Sequence, residues 1–416
     1  MRQILLARHL GDSDEEGRLI DQLQIVAQSL GADAGAQGLA QQATYAGLRS
    51  RAADGIAPAK AALAIYEQLC DLRGQLECLY LLVDFTANIG DLESSRIYLD
   101  VMRLRAADLA DQVVEARALA VAAQAALLRQ NYRACFDLTV QGLALHVLTN
   151  DVEAEASSRG RLAVSAAWLG EFETSLREFE RALDTYESIG NKRGLALTYT
   201  NRTLVLMRLG LFDEALTSIE RSNTLFAIVH EERTVVANHV NASFVKLQLG
   251  DPVTAKELAR SALTIARAIA FPVFEAAALA NLGNAERCLG ELGPAIEHME
   301  AGIALRRPIQ DARDFVDDLA DLTIAYAASG RGRDALETAN ELCTIGRGSF
   351  DGALWPHYIS WAVAQGFAVG GDANRSDEFE NRARVELDAF AARIEDERIR
   401  MAFLSVPINL QIAGRT

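Results

Sequence analysis

The chain is poor in the residues that staple or break a fold. Its five cysteines, Cys70, Cys78, Cys135, Cys288 and Cys343, are odd in number, widely spread and form no CxxC pair. This argues against a disulfide framework or a zinc site and marks them as small apolar side chains of a reducing compartment. Seven prolines and 6% aromatic residues favour helices over sheets. No apolar run approaches the roughly eighteen residues of a membrane helix, and the N-terminal MRQILLARHLGDSDEEG lacks an apolar stretch of signal-peptide length. Neither GxxxxGK[ST], GxGxxG after a strand, GxSxG nor HExxH occurs, so the constellations that cradle phosphates, activate a serine or bind a hydrolytic zinc are missing. The six histidines are scattered. His230 opens a polar HEERT loop between repeats, His239 lies beside the groove-facing stripe in a packing or surface position, and His298 falls on a helix surface. A formal charge of −16 argues against direct nucleic-acid binding. The expectation is a cytoplasmic protein that is not an enzyme and has no cofactor, no metal and no membrane contact.

What is present is a repeat. A glycine that breaks a helical pair falls at Gly90, Gly170, Gly210, Gly250, Gly290, Gly330 and Gly370, with Gln130 and Ser50 in equivalent slots and Leu10-Gly11 within one residue. The period is 40, and it gives about ten copies. Five residues after the turn stands a small residue: Gly55, Ser95, Cys135, Ser175, Ala215, Ala255, Ala295 or Ala335. A second small position, two residues after the slot held by Asn201, is filled by Ala123, Ala163, Thr203, Ser243, Gly283 or Thr323. Small residues at both places let antiparallel helices approach to about 8 Å. Acidic residues, with Pro252 and Pro294, sit in the first turn of the second helices, where the dipole favours the charge and a missing N–H costs nothing.

These residues resemble the tetratricopeptide repeat, most closely in ALANLGNAERCLGELGPAIEHMEAGIAL, residues 278–305. The usual unit has about 34 residues, and the resemblance is to a longer version with a lengthened second helix and exit loop. HEAT and armadillo repeats match the length but not the Gly and Ala spacing. The resemblance implies an all-α, right-handed superhelical solenoid of about ten helix pairs whose first helices line a concave groove. The array is expected over 1–369, with the last helix and a C-terminal cap over 370–416. The short first copy implies a fragment or the C-terminal part of something larger. Near the other end, an apolar helix carries Trp355, Tyr358 and Trp361, and a long charged helix follows in DEFENRARVELDAFAARIEDERIRMAFL. The segment ARIEDERIRMAFLSVPINLQI resembles the closing segment after the sensor array of bacterial ATPase-linked regulators of the maltose-regulator type. This implies a regulatory or sensor role in signal transduction.

Asn201, Asn241 and Asn281 recur at the repeat period in the middle of first helices, where asparagine is a poor helix former. With residues three, four and seven places away they form stripes: Thr198, Leu204 and Arg208; Asn238, Phe244 and Gln248; Ala278, Asn284 and Cys288. Asp318 and Asp321 continue the series, and Arg161 and Trp168 precede it. An asparagine amide offers one acceptor and two donors, the complement of a peptide backbone. Helices stacked about every 10 Å would meet an extended peptide, which rises about 3.3 Å per residue, at every third residue. The resemblance likewise implies a backbone clamp at Asn201, Asn241 and Asn281. The other reading is that each asparagine bonds a neighbouring helix and fixes the stacking. The candidate groove residues are Asn201, Asn241, Asn281, Asp321, Arg208, Asn284 and Arg161, with a peptide or protein segment as partner. A charge gradient from Arg161 and Arg208 to Asp318 and Asp321 would orient it. The rival function is a small-molecule sensor, for an oligosaccharide for example, and would require Trp168 and Phe244 to help close a cavity.

Overall fold

The computed structural model describes residues 13–48, 52–89, 91–109, 111–229, 232–307, 312–346, 349–350 and 352–414. The described residues form 21 helices and no strand. In order they are α1 Ser13–Leu30, α2 Ala32–Leu48, α3 Ala52–Gln68, α4 Leu72–Asn88, α5 Leu92–Leu109, α6 Gln112–Leu128, α7 Tyr132–Leu148, α8 Val152–Leu169, α9 Phe172–Ser188, α10 Lys192–Arg208 and α11 Phe212–Val229. They continue as α12 Glu232–Gln248, α13 Pro252–Ala268, α14 Pro272–Cys288, α15 Leu292–Arg306, α16 Ala312–Ala328, α17 Gly332–Gly346, α18 Pro356–Gly370, α19 Ala373–Ala391, α20 Glu397–Leu404 and α21 Pro407–Ile412. The chain divides into two compact units, Met1–Ser165 and Ala166–Thr416. Within each, successive helices pack side by side, and first helices of neighbouring pairs also touch, as α4 with α6 and α16 with α18.

One turn is used throughout. Gln130, Gly170, Gly210, Gly250, Gly290 and Gly330 are left-handed, with φ between 57° and 81°. A second left-handed series lies half a period away, at Cys70 (56°), Asn150 (57°), Gly190 (69°) and Ala270 (51°). Among the described residues the same junction therefore recurs at both ends of the hairpin. At each, the next residue's N–H reaches back five residues, as from Asn131 to Ala126, Leu211 to Leu206 and Asp251 to Lys246, all 2.9 Å. This pairs carbonyls that the helix end leaves open. That next residue often caps the following helix: Asn191 Oδ1 accepts from the Gly194 N–H at 2.8 Å, and Asp251 Oδ1 from Thr254 at 3.1 Å.

The expected phase marks Gly11, Ser50 and Gly90, and His230, lie outside the described residues. At the C-terminal end the periodicity slips. α18 starts at Pro356, four residues beyond the step of 40 from Ala312, and the left-handed residue is Gly371 (φ 87°) rather than Gly370. The charged segment expected as one helix is two, because Asp396 caps a new helix by accepting the Ile399 N–H at 3.0 Å. Ile394, fully buried in the break, anchors it.

Both small positions are buried in every copy, from Ser95, Cys135 and Ser175 to Ala335, and from Ala123 to Thr323. They face each other across the hairpin: Ser95 Oγ donates to the Val83 carbonyl (3.1 Å) and Ser243 Oγ to the Ala255 carbonyl (2.8 Å). In the pair of α14 and α15, a Cβ on Gly283 would lie 2.8 Å from the Ala295 carbonyl oxygen, so the two backbones are in contact there. Ala295→Leu should therefore cost about 1 to 3 kcal/mol through overpacking. Urea denaturation checks this, and an unchanged midpoint would show that the approach is not close.

Candidate functional site

The polar stripes of the first helices in Ala166–Thr416 do not share one environment. Asn201 and Leu204 are exposed, whereas Thr198 and Arg208 on the same helix are buried. Asn238 is wholly buried and structural: its amide donates to Ser222 Oγ (2.9 Å) and Asn223 Oδ1 (2.7 Å) and accepts from Thr200 (3.2 Å), tying α10, α11 and α12 together. Asn241, one turn on, is 8% exposed, and its amide makes no hydrogen bond among the described residues. Asn201 makes none there either. Asn281 is intermediate: its amide donates to the Val240 carbonyl of the preceding first helix at 2.8 Å, which leaves its oxygen as an acceptor.

Further along, the polar groups are joined to one another. Asn284 Nδ2 donates to Asp321 Oδ2, and Tyr358 Oη donates to Asp321 Oδ1, both at 2.5 Å, so one carboxylate links α14, α16 and α18. Arg287 donates to Asn284 Oδ1 at 3.3 Å from the other side. Burial raises the Asp321 carboxyl, and the two hydrogen bonds pull it back. Asp318 lies against the buried Arg306, which also reaches Asp314 at 3.3 Å. Arg161, in Met1–Ser165, bonds Gln124 at 3.2 Å and lines a cleft of about 220 Å3 with Asp84, Arg117, Val121 and Leu128.

Arg208 and Phe244 are covered by residues from further along the chain, and Trp168 packs on Arg208. The Arg208 guanidinium lies 4.1 Å from the Trp168 ring and 5.3 Å from that of Phe390. Its backbone carbonyl accepts the Trp355 indole N–H at 2.9 Å, and Trp355 packs on Phe244 at 5.8 Å. At the centre is His357, wholly buried, with Phe390 at 5.9 Å and Phe403 at 5.6 Å. Its Nε2 faces Asn409 Oδ1 at 2.9 Å, while the Asn409 amide donates to the Phe403 carbonyl at 2.8 Å. The asparagine oxygen can only accept, so Nε2 carries a proton, while Nδ1 is buried without a partner and burial disfavours a second proton there. Arg208 and Asp318 are thus engaged internally, and the expected orienting gradient has lost two of its four members. The aromatic rings at 168 and 244 are packed against protein, where the small-ligand reading needs them lining a cavity. The Trp355, His357, Phe390 and Phe403 cluster was missed in the sequence; its one local hint is the run WPHYISW.

No protein-family model matches the chain, and no curated protein matches it. Solved structures do. The Rap conjugation gene regulator of the plasmid pLS20, in complex with the Phr* peptide, superposes with a TM-score of 0.56 at 14% identity, over 80% of this chain and 96% of that one. The apo quorum sensor NprR from B. thuringiensis gives 0.55 at 13%, over 84% and 98%. A signal transduction ATPase with numerous domains and a tetratricopeptide repeat sensor, from Pyrococcus horikoshii, gives 0.52 at 14%, over 84% of this chain. The fold is a tetratricopeptide-type helical repeat. The chain spans 55% of the length of the Pyrococcus protein, and identities this low establish a shared fold and nothing about ligands.

In this tetratricopeptide-type array the first helix that carries Asn281 also carries a buried charge turned toward the second helices on either side of it. Glu286 is 2% exposed and reaches His298 Nδ1 at 2.7 Å and Lys256 at 3.5 Å. His298, expected on a helix surface, is therefore half-buried against a carboxylate. His239 has the packing role, with Nδ1 3.1 Å from Ser261 Oγ. Among the described residues no group of ligands is arranged to hold a metal, and no helix is long and apolar enough to cross a membrane.

Burial pushes the His357 imidazole down to about 4 from an ordinary 6.5. The unfolded chain therefore binds the extra proton first, so the contribution of neutral His357 is complete above pH 6.5 and is lost as pH falls from there to about 4. The full loss is about 3 kcal/mol by linkage. Burial also pushes the Asp318 carboxyl up to about 7, against the pull of Arg306, so the comparison must isolate His357. The urea midpoint of the parent chain should fall more steeply between pH 6.5 and 4 than that of His357→Gln, and parallel slopes would exclude His357 as the cause.

Proposed function

We propose that residues 166–416 bind an extended peptide or protein segment along the first-helix face, with Asn201, Asn241 and Asn281 holding its backbone. The observation that carries this reading is Asn241. Its side chain is nearly buried and bonds no described residue, yet its amide is not shut off from solvent, so its donors and its acceptor are open to a ligand backbone in place of water. Flanking it, Asn201 is exposed and Asn281 is held in place by the Val240 carbonyl with its oxygen still open. A clamp ordered by its neighbour has less to lose on binding. The same fold holds the Phr* peptide in the Rap regulator, which supports the reading without fixing the ligand.

Asn284 and Asp321 are assigned to ordering the face, since their polar atoms bond one another and Tyr358. A regulatory or sensor role in a bacterial signalling protein is the context we propose, without catalysis and in the cytoplasm. The tetratricopeptide sensor of the Pyrococcus protein supports that context. The cleft beside Arg161 in Met1–Ser165, about 220 Å3 and mostly apolar in its lining, supports a second reading in which the chain senses a small molecule.

Selection of peptides from a display library on the full chain tests the first reading. Asn241→Ala should weaken capture of the selected peptides about tenfold, the equivalent of about 1.4 kcal/mol, and leave thermal unfolding nearly unchanged. A fall of many degrees in Tm with unaltered capture would sink the clamp.

A further inference from the structure

The turn-proximal end of the proposed groove is closed by the chain itself. Between Phe390 and Pro407, the C-terminal residues meet the repeats at three consecutive hairpin ends: Phe172 on Phe390 (5.2 Å), Gly210 beneath Phe403 and Val406, and Gln248 with Leu249 opposite Ser405 and Pro407. These contacts join positions separated in sequence by several whole repeats. The seat lies at Gly210, two residues beyond Arg208 at the end of the Asn201 stripe, and takes in Gln248 on the next.

The contact has the make-up of one that can open. Its core is a small apolar plug in which Phe390 and Phe403 stack at 4.6 Å on the His357 edge. One polar link is buried, between His357 Nε2 and Asn409 Oδ1, and the others lie at the exposed rim: the Glu173 carboxylate accepts the N–H groups of Glu395 (2.7 Å) and Asp396 (3.0 Å), and Arg398 pairs with Glu214 at 3.1 Å. Exposed ionic links of this kind add little stability. α20 and α21 are short, at eight and six residues, too short to hold helical form without a surface beneath them. The seam is incompletely filled: a cleft of about 360 Å3 remains between Phe212, Gln248, Ser405 and Pro407.

We propose that residues 393–414 are a latch, an internal occupant that covers the turn-proximal end of the groove and leaves its seat when a ligand extends past Asn241. The proposal rests on the groove reading above, and its test is separate because the probe is the chain's own segment. Bound, the latch restricts a ligand to the Asn201, Asn241 and Asn281 rungs. Released, it uncovers the backbone at Gly210 and the faces of Phe390 and His357 on which Phe403 lies, ground that would suit an aromatic ligand residue.

The experiment uses the full chain and a synthetic peptide of residues 393–414 carrying an N-terminal fluorophore. In Phe403→Ala, amide hydrogen exchange over residues 397–412 should accelerate at least tenfold while α12 to α16 keep their rates. The labelled peptide should bind that chain at least tenfold more tightly than the parent, whose seat is filled, and a peptide carrying Phe403→Ala should not compete. Glu173→Ala removes only the rim acceptor and should speed exchange in the same segment to a smaller degree. Equal acceleration throughout 166–416 in both variants, no acceleration in either, or equal peptide affinity for parent and Phe403→Ala chains each overturns the latch.

Discussion

Everything in these repeats depends on two helices touching backbone to backbone at one level. At Gly283 a Cβ would strike the Ala295 carbonyl, and the hydroxyls of Ser95 and Ser243 bond across the same contact in their own hairpins. Close approach at that level sets the angle of each hairpin and so the direction in which the polar stripe of the first helix points. A stripe residue is on the outer face only because the opposite face of its helix is locked at this spacing.

Three asparagines at one repeat position show how far local context redirects a common side chain. Asn201 is exposed, Asn241 is nearly buried and unbonded among the described residues, and Asn281 grips the preceding helix. Three residues before Asn241, Asn238 is fully paired within the core. The stacking interpretation describes Asn281, whereas Asn201 and Asn241 bond no described residue, so the ladder divides residue by residue.

The repeat itself was legible because its marks are local: a glycine with positive φ, small residues at fixed distances from it, and acidic caps. Most of the second series of junctions was hidden because Cys70, Asn150 and Ala270 take the left-handed conformation without glycine's freedom. The burial of Arg208 was not legible at all. Its cause is Phe390 and Trp355, several repeats further along the chain, and no period or spacing within the repeats encodes a contact made by the segment that departs from them. The charges at Asp318 and Asp321 were seen as a stripe, but Arg306 and Tyr358, on other helices, decide where those charges are spent.

Because one left-handed turn joins helices at both ends of the hairpin, the turn cannot distinguish a first helix from a second. A chain cut or extended by half a period would still fold through identical junctions, yet every small residue would then face the wrong partner. The information that separates the two helix types therefore resides in side-chain volume, at two positions in each period. Growth or loss of this array by whole repeats preserves that code, and half-repeat events erase it. The lengths open to its descendants are therefore spaced by the full period, even though the backbone itself repeats at half of one.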